Sequence, residues 1–164
     1  MLKVFISHST YDIHIVNVLA KYLNANGIYA YIADRDRQIG KPISQKIREN
    51  INNSDFFLVL YTRNSKDSAY VNQEIGLWSN TIKANCIVPL VEKGIIPQGL
   101  LSGIEYIEYD PYNPNNSLND AIDFLMRQSR NKEIREGIGI VTLVGIGVLA
   151  LLGLSKLNDN NDVQ

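Results

Sequence analysis

Short apolar runs alternate with segments of helical periodicity along residues 1–130, and this alternation constrains the fold more than any other feature of the sequence. The apolar runs predict strands at residues 3–7, 28–32, 56–61, 87–91 and 104–109. The helical patterns begin near Tyr11 and at Ile43, and they cover residues 68–83 and 118–128. Strands that alternate with helices in this way predict an α/β fold, a flavodoxin-like five-stranded parallel sheet with helices on both faces. The almost continuously apolar run at 56–61 is expected to be the central strand.

Two local signals place the ends of the first helix. Ser9, followed three residues later by Asp12, resembles a capping box that opens a helix from about Tyr11. Asn26-Gly27 is a typical left-handed C-terminal cap.

The loop after the second strand, residues 33–42, is polar and contains Gly40 and Pro42.

Ligands of such sheets bind beyond the carboxyl ends of the strands, so the residues at those ends decide which functions are plausible. The residues that follow the first three strands are Ser7 and His8, then Asp34, Arg35 and Asp36, then Tyr61, Thr62 and Arg63. A phosphate-accepting receiver would need acidic residues after the first strand and an aspartate at the end of the third. A P-loop or Rossmann protein would need glycines in the first turn. The sequence disfavours all three classes.

Metal, hydrolytic-triad and nucleic-acid functions are disfavoured by the scarcity of suitable residues. The only histidines are His8 and His14, and the single cysteine, Cys86, excludes an internal disulfide. The formal charge is -1 with 20% charged residues, which provides no basic surface for a phosphate backbone. We therefore expect no metal site and no nucleic-acid partner.

Residues 137–154 form an uncharged apolar segment that predicts a membrane-spanning helix. As a helix, this segment would extend roughly 27 Å, near the lower limit for crossing a bilayer. The basic residues before it are Arg127, Arg130, Lys132 and Arg135, and only Lys156 follows it. By the positive-inside rule, residues 1–130 are cytoplasmic, residues 131–136 form a charged linker, and the tail at 155–164 lies across the membrane. The alternative is a buried core helix.

The helical segment at residues 68–78 contains a glutamate beside an aromatic residue. Val71, Ile75, Trp78 and Ile82 are predicted to form its buried stripe, whereas Tyr70 and Glu74 share an adjoining face near the ligand edge of the sheet. Periodicity alone indicates an ordinary surface position for Glu74.

Four segments together resemble the successive signature segments of bacterial and archaeal TIR (Toll/interleukin-1 receptor) domains. They are KVFISHSTYD at residues 3–12, the loop ending in Gly40-Lys41-Pro42, SDFFLVLYT at 54–62, and SAYVNQEIG at 68–76. The resemblance covers residues 1–130. Tyr70 stands where most members have tryptophan, and Ala33 stands where many have aspartate.

The resemblance implies an enzyme that cleaves NAD at the nicotinamide-ribose bond. Ser68, Tyr70 and Glu74 match the family motif S-x-W-x-x-x-E, which implies that Glu74 is the catalytic carboxylate. Ser7, His8, Asp34, Arg35 and Tyr70 are the expected substrate contacts. NAD is then the substrate and no cofactor is expected, while TIR-TIR self-association at a membrane, in anti-phage defence or signalling, is expected to regulate the activity.

Two other functions stay open at this point. The first is a non-catalytic TIR adaptor that recruits other TIR domains at a membrane. The second is chemistry on another N-glycoside, because the same oxocarbenium-like intermediate serves any nucleoside. The retention of Glu74 favours the enzyme, and the substitutions at Ala33 and Tyr70 favour the adaptor.

Overall fold

A computed structural model describes residues 1–32, 43–132 and 134. The strands are β1 (Lys3–Ser7), β2 (Tyr29–Ile32), β3 (Phe56–Tyr61), β4 (Ile87–Glu92) and β5 (Ile107–Tyr109). The helices are α1 (Ile13–Ala25), α2 (Ile43–Asn53), α3 (Ala69–Ser79) and α4 (residues 114–132). Short 3₁₀ turns lie at Thr10–Asp12 and Gly99–Leu101.

The strands form one parallel sheet in the order β2-β1-β3-β4-β5. The predicted five-stranded parallel sheet with β3 at its centre is therefore confirmed. The order reverses between β1 and β3, because the chain moves outward to β2 in one direction and to β4 and β5 in the other. That gap is the topological switch point, where sheets of this type bind ligands.

Two apolar clusters cover the two faces of the sheet, as the alternation of side chains along each strand requires. On one face Val4 and Ile6 pack with buried residues of α1 and α4. On the other face Phe5 packs with buried residues of α2 and α3. Helices therefore lie on both faces, and α1 and α3, which flank the switch point, lie on opposite sides of the sheet.

The helix predicted at 68–83 is shorter than expected, and the prediction of Ile82 as a buried residue is wrong. The helix ends at Ser79, and Ile82 is fully exposed. Asn80 donates a side-chain hydrogen bond to the Gly76 carbonyl at 2.7 Å, and Thr81 Oγ1 donates to the Trp78 carbonyl at 2.8 Å. These side chains occupy the carbonyl acceptors that another helical turn would need.

The strand predicted at 104–109 is also shorter, because Pro89 faces it. The Lys93 N–H donates to the Tyr109 carbonyl at 2.8 Å, so every second residue of β4, including Pro89, faces β5. In this register the nitrogen of Pro89 faces the carbonyl of Glu105. Proline has no N–H, so this hydrogen bond cannot form. Pairing therefore begins only at Ile107.

Other predicted boundaries moved little. Gly27 has a φ of 74°, which confirms the left-handed cap after α1. The last helix begins at Pro114 rather than Leu118, and proline is well suited to a first helical position.

The chain divides into two compact units, Met1–Ser129 and Arg130–Gln164, and the first contains all the strands above. Within the described part of the chain, no helix has the length and apolarity needed to cross a bilayer. The predicted span, 137–154, and tail, 155–164, lie outside the described residues. In the predicted linker, residues 131, 132 and 134 are helical.

Candidate functional site

A buried serine-glutamate pair bridges the switch point of the sheet. Ser7 is the last residue of β1, and Glu74 lies on α3, the helix that follows β3. The Ser7 hydroxyl donates a hydrogen bond of 2.5 Å to Glu74 Oε2. Both side chains are buried, and Glu74 is only 6% exposed. The structure thus brings together two of the predicted site residues.

The burial of Glu74 corrects the expectation of an ordinary surface glutamate. Glu74 follows Val71 by three residues and precedes Trp78 by four, so it lies within the buried stripe of α3 rather than beside it. A carboxylate is costly to bury without hydrogen bonds, and Ser7 supplies one. A glutamate at a position that helical spacing assigns to the core was the signal available in the sequence.

Tyr70 lies one turn before Glu74 but differs from it in burial. The Tyr70 side chain is 61% exposed in the first turn of α3. The two residues that were predicted to share a face therefore separate, with the carboxylate inside and the ring toward solvent. Tyr70 contributes an exposed aromatic surface near the buried pair.

The remaining predicted substrate contacts are His8, Asp34 and Arg35. His8 is half-buried beside Ser7, and its Nδ1 lies 3.4 Å from the Ile6 carbonyl oxygen, at the long limit for a hydrogen bond. Asp34 and Arg35 lie outside the described residues. His14 is exposed on α1.

Asp12 is a buried residue whose role the sequence did not reveal. It was expected to complete a capping box with Ser9, but its carboxylate is directed to the end of β3 instead. Asp12 Oδ2 accepts a hydrogen bond from Thr62 Oγ1 at 2.7 Å, and Oδ1 accepts one from Asn64 Nδ2 at 2.7 Å. The helix opens with a 3₁₀ turn, in which Ser9 Oγ accepts from the Tyr11 N–H at 3.4 Å.

Glu92 is a second buried carboxylate at this edge of the sheet, and it is paired with Arg63. The Arg63 backbone N–H donates to Glu92 Oε2 at 2.9 Å, and the guanidinium donates to Oε1 at 2.6 Å from Nε. Burial raises the pKa of Glu92, but the hydrogen bonds and charge of Arg63 lower it more, so the pKa lies below its ordinary value of 4.5. The pair connects the residues after β3 to the end of β4.

This pKa shift predicts that Glu92 stabilises the protein at neutral pH but not in acid. A carboxyl group whose pKa is lower in the folded state stabilises the fold above its unfolded pKa, and the contribution disappears as the pH falls through the folded pKa. The difference in urea midpoint between the wild type and Glu92→Gln should therefore be larger at pH 7 than at pH 3. Glu108→Gln removes one charge from an exposed position and provides the comparison. A difference that stays constant on acidification would contradict the assignment.

A cavity of about 440 Å³ lies away from the switch point, between the first half of β4 and the approach to β5. Its walls include Ile87, Pro89, Ile104 and Phe124. Neither Glu74 nor Ser7 lines it, so the cavity is separate from the buried pair. Across the described residues, no group of His, Cys, Asp or Glu side chains is arranged to hold a metal ion.

Comparison with known proteins gives a family model described as the TIR domain, which matches residues 4–126. The chain belongs to the TIR domain family. No curated protein matches this TIR domain in sequence.

Solved structures share the fold of this TIR domain at low sequence identity. The TIR domain of the Toll-related receptor TRR-2 from Hydra magnipapillata superposes with a TM-score of 0.63 at 17% identity, covering 76% of this chain and 97% of that one. A prokaryotic SEFIR domain gives 0.60 at 16% identity, with coverage of 75% and 91%. A 2-deoxyribosyltransferase from Bacillus psychrosaccharolyticus gives 0.55 at 14% identity, with coverage of 71% and 90%. At these identities the comparisons establish the fold alone.

Proposed function

We propose that this TIR domain cleaves NAD at the nicotinamide-ribose bond, with Glu74 as the catalytic carboxylate. The observation that carries the proposal is the position of Glu74, a buried carboxylate held by Ser7 across the switch point of the sheet. Ligands of doubly wound sheets bind at this place. A glutamate that served only solubility would lie on the exposed face of α3.

The reaction suits a single preorganised carboxylate. When the bond between ribose C1′ and the nicotinamide nitrogen breaks, its electron pair goes to nicotinamide, which leaves as a neutral molecule and needs no general acid. Positive charge then develops on the ribose, and a fixed carboxylate in a site with little water stabilises it. Water adds to C1′ and releases a proton to give ADP-ribose, or a nitrogen of the adenine adds to give a cyclic isomer.

Ser7 has a defined part in this proposal, because its hydroxyl hydrogen bond fixes the orientation of the Glu74 carboxylate. His8 follows Ser7, and Asp34 and Arg35 follow the last residue of β2, the strand beside β1. These residues and Tyr70 are the proposed contacts for the rest of the dinucleotide. NAD is the substrate, and no further cofactor is required.

Membrane attachment forms the second half of the proposal. Residues 137–154 are proposed to cross the bilayer once, with the TIR domain on the cytoplasmic side, as the excess of basic residues before the segment favours. Attachment raises the local concentration of the chains, which favours TIR-TIR self-association. Defence or signalling is the proposed setting.

A specific observation also favours the adaptor as a second candidate. The hydrogen bond from Ser7 satisfies one oxygen of Glu74, so a purely structural pair explains part of the geometry. The exposed Tyr70 ring is then available for protein contacts rather than for a substrate. Similarity to the 2-deoxyribosyltransferase supports a third candidate, chemistry on another N-glycoside, because that enzyme has the same fold.

Nicotinamide release distinguishes these candidates. The full-length protein is reconstituted in lipid vesicles at low and high surface density and incubated with NAD, with the Glu74→Ala variant as the blank. Release that exceeds the blank and rises with density supports a self-associating NADase, and chromatography identifies linear or cyclic product. If no nicotinamide is released at either surface density, the adaptor is favoured. If the protein releases the base from 2′-deoxynucleosides but no nicotinamide from NAD, the third candidate is favoured.

A further inference from the structure

Two cross-links join the same two stretches of chain on either side of the switch point. The first stretch runs from the end of β1 to the residue before α1, residues 7–12, and the second runs from the end of β3 into α3, residues 62–74. Ser7 and Glu74 form one cross-link. Asp12, with Thr62 and Asn64, forms the other. Hydrogen bonds therefore close a ring through both segments.

The second cross-link is short, and its Asp12–Thr62 bond is shielded from water. Asp12 and Thr62 are buried, and each oxygen of the Asp12 carboxylate accepts one hydrogen bond of 2.7 Å. A hydrogen bond to a charged group is stronger than one between neutral groups, and burial protects it from competition by solvent. Asp12 thus attaches the start of α1 firmly to the residues after β3.

Hydrogen bonds continue from this cross-link to α3 without a break. The Thr62 N–H donates to Ser65 Oγ at 2.6 Å, and Ser65 Oγ donates to the Leu60 carbonyl at 2.8 Å. The Ser68 N–H then donates to the Ser65 carbonyl at 3.0 Å, and Ser68 Oγ caps α3 by accepting from the Val71 N–H at 3.4 Å. The chain between Thr62 and α3 is therefore held at each step, so a displacement of Thr62 is transmitted to α3.

We infer that Asp12 is a positioning residue, which sets the distance between Ser7 and Glu74 by holding Thr62 and Asn64 against the start of α1. The effect on rate rests on the proposed NAD cleavage, whereas the effect on the position of α3 does not. Loss of this cross-link lowers kcat with little change in KM, because it misplaces the carboxylate that acts in the transition state while the proposed substrate contacts outside α3 remain. A misplacement of about 1 Å costs on the order of 100-fold in rate.

Thr62→Val and Thr62→Ser form the main test, because the first removes the hydroxyl at nearly constant shape and the second keeps it. We expect Thr62→Val to lower kcat for nicotinamide release by about 10- to 100-fold, with KM within about twofold, and Thr62→Ser to stay close to the wild type. Asp12→Asn should also preserve kcat, since the new amide oxygen accepts from Asn64 and the new amide N–H donates to the Thr62 hydroxyl. Asp12→Ala should not.

Asn64→Ala provides a variant that folds, because Asn64 is exposed and loses one hydrogen bond only. We expect a smaller fall in kcat, on the order of threefold. Asn80→Ala is the matched control, since Asn80 is also exposed and makes one side-chain hydrogen bond, at the far end of α3.

Trp78 reports on α3 independently of catalysis. It is the single tryptophan of the chain and lies one turn after Glu74. We expect its emission to shift to longer wavelength in Thr62→Val and Asp12→Ala, but not in Thr62→Ser or Asp12→Asn. If the wild-type protein releases no nicotinamide, the proposed function is wrong. The shift in Trp78 emission would still show whether Asp12 positions α3. Wild-type kcat and emission in both Thr62→Val and Asn64→Ala would overturn the inference.

Discussion

Glu74→Gln is expected to reduce nicotinamide release by about 100- to 1,000-fold while the protein stays folded. The substitution preserves the shape of the side chain, and the new amide oxygen can still accept the hydrogen bond that Ser7 donates to Oε2. The negative charge disappears, and the second carboxylate oxygen becomes an amide nitrogen, which donates rather than accepts. A fixed charge that faces the developing positive ribose contributes on the order of 3–4 kcal/mol to transition-state stability, which corresponds to this range of rates.

The kinetic form of the loss is as informative as its size. Because the charge acts in the transition state, we expect kcat and kcat/KM to fall together while KM changes little. Glu108→Gln, which removes a charge from an exposed position on β5, should retain the wild-type rate. A Glu74→Gln variant with more than a tenth of wild-type activity would show that the carboxylate is structural and that another group performs the chemistry.

Trp78→Ala is expected to lower the free energy of unfolding by about 3–5 kcal/mol, a large fraction of the stability of a domain of this size. Trp78 is fully buried and stacks on Phe57 with ring centroids 5.3 Å apart, and Phe57 stacks in turn on Phe5 at 5.6 Å. Alanine would leave a cavity between α3 and the middle of the sheet. Urea denaturation followed by circular dichroism measures the loss, since the variant has no tryptophan.

Trp78→Phe separates packing from polarity at the same position. Phenylalanine keeps a ring against Phe57, and it also removes an indole N–H that has no hydrogen-bond partner among the described residues. An unpaired buried donor costs about 1–3 kcal/mol, so its removal offsets part of the lost contact. We expect Trp78→Phe to cost less than about 2 kcal/mol. Equal losses for the two variants would mean that the stacking contributes little.

The parallel sheet and its central strand followed from the sequence because they depend on local patterns. The run Phe56 to Tyr61 is apolar on both faces, as a central strand between two helical layers must be. Alternation of strands and helices then allows few topologies, because parallel crossovers have one hand. The resemblance of four segments to TIR domains also predicted the family, and the family model that matches residues 4–126 confirmed this prediction.

The site was less predictable, because its contacts join residues that are far apart in the chain. Glu74 is buried through a partner 67 residues away, and Asp12 bonds to a residue 50 positions away. Glu74 was predicted to lie at the surface, although its spacing from Val71 and Trp78 fits the buried stripe, and Asp12 was predicted to pair with Ser9. Neither prediction took account of the end of a neighbouring strand. The prediction that Ile82 is buried was wrong for a different reason. Its spacing fits the buried stripe of α3, but side-chain hydrogen bonds end the helix before it reaches Ile82.

Pro89 has a consequence for how this protein behaves when many copies are crowded together. By delaying the pairing of β5 until Ile107, it limits that edge of the sheet to three paired residues. Glu105 and Glu108 lie exposed on the same short segment. Long, flat edges invite a strand from another molecule, whereas a short edge with charged residues resists such addition. The β5 edge therefore disfavours the addition of strands from other copies, and with it aggregation through the sheet.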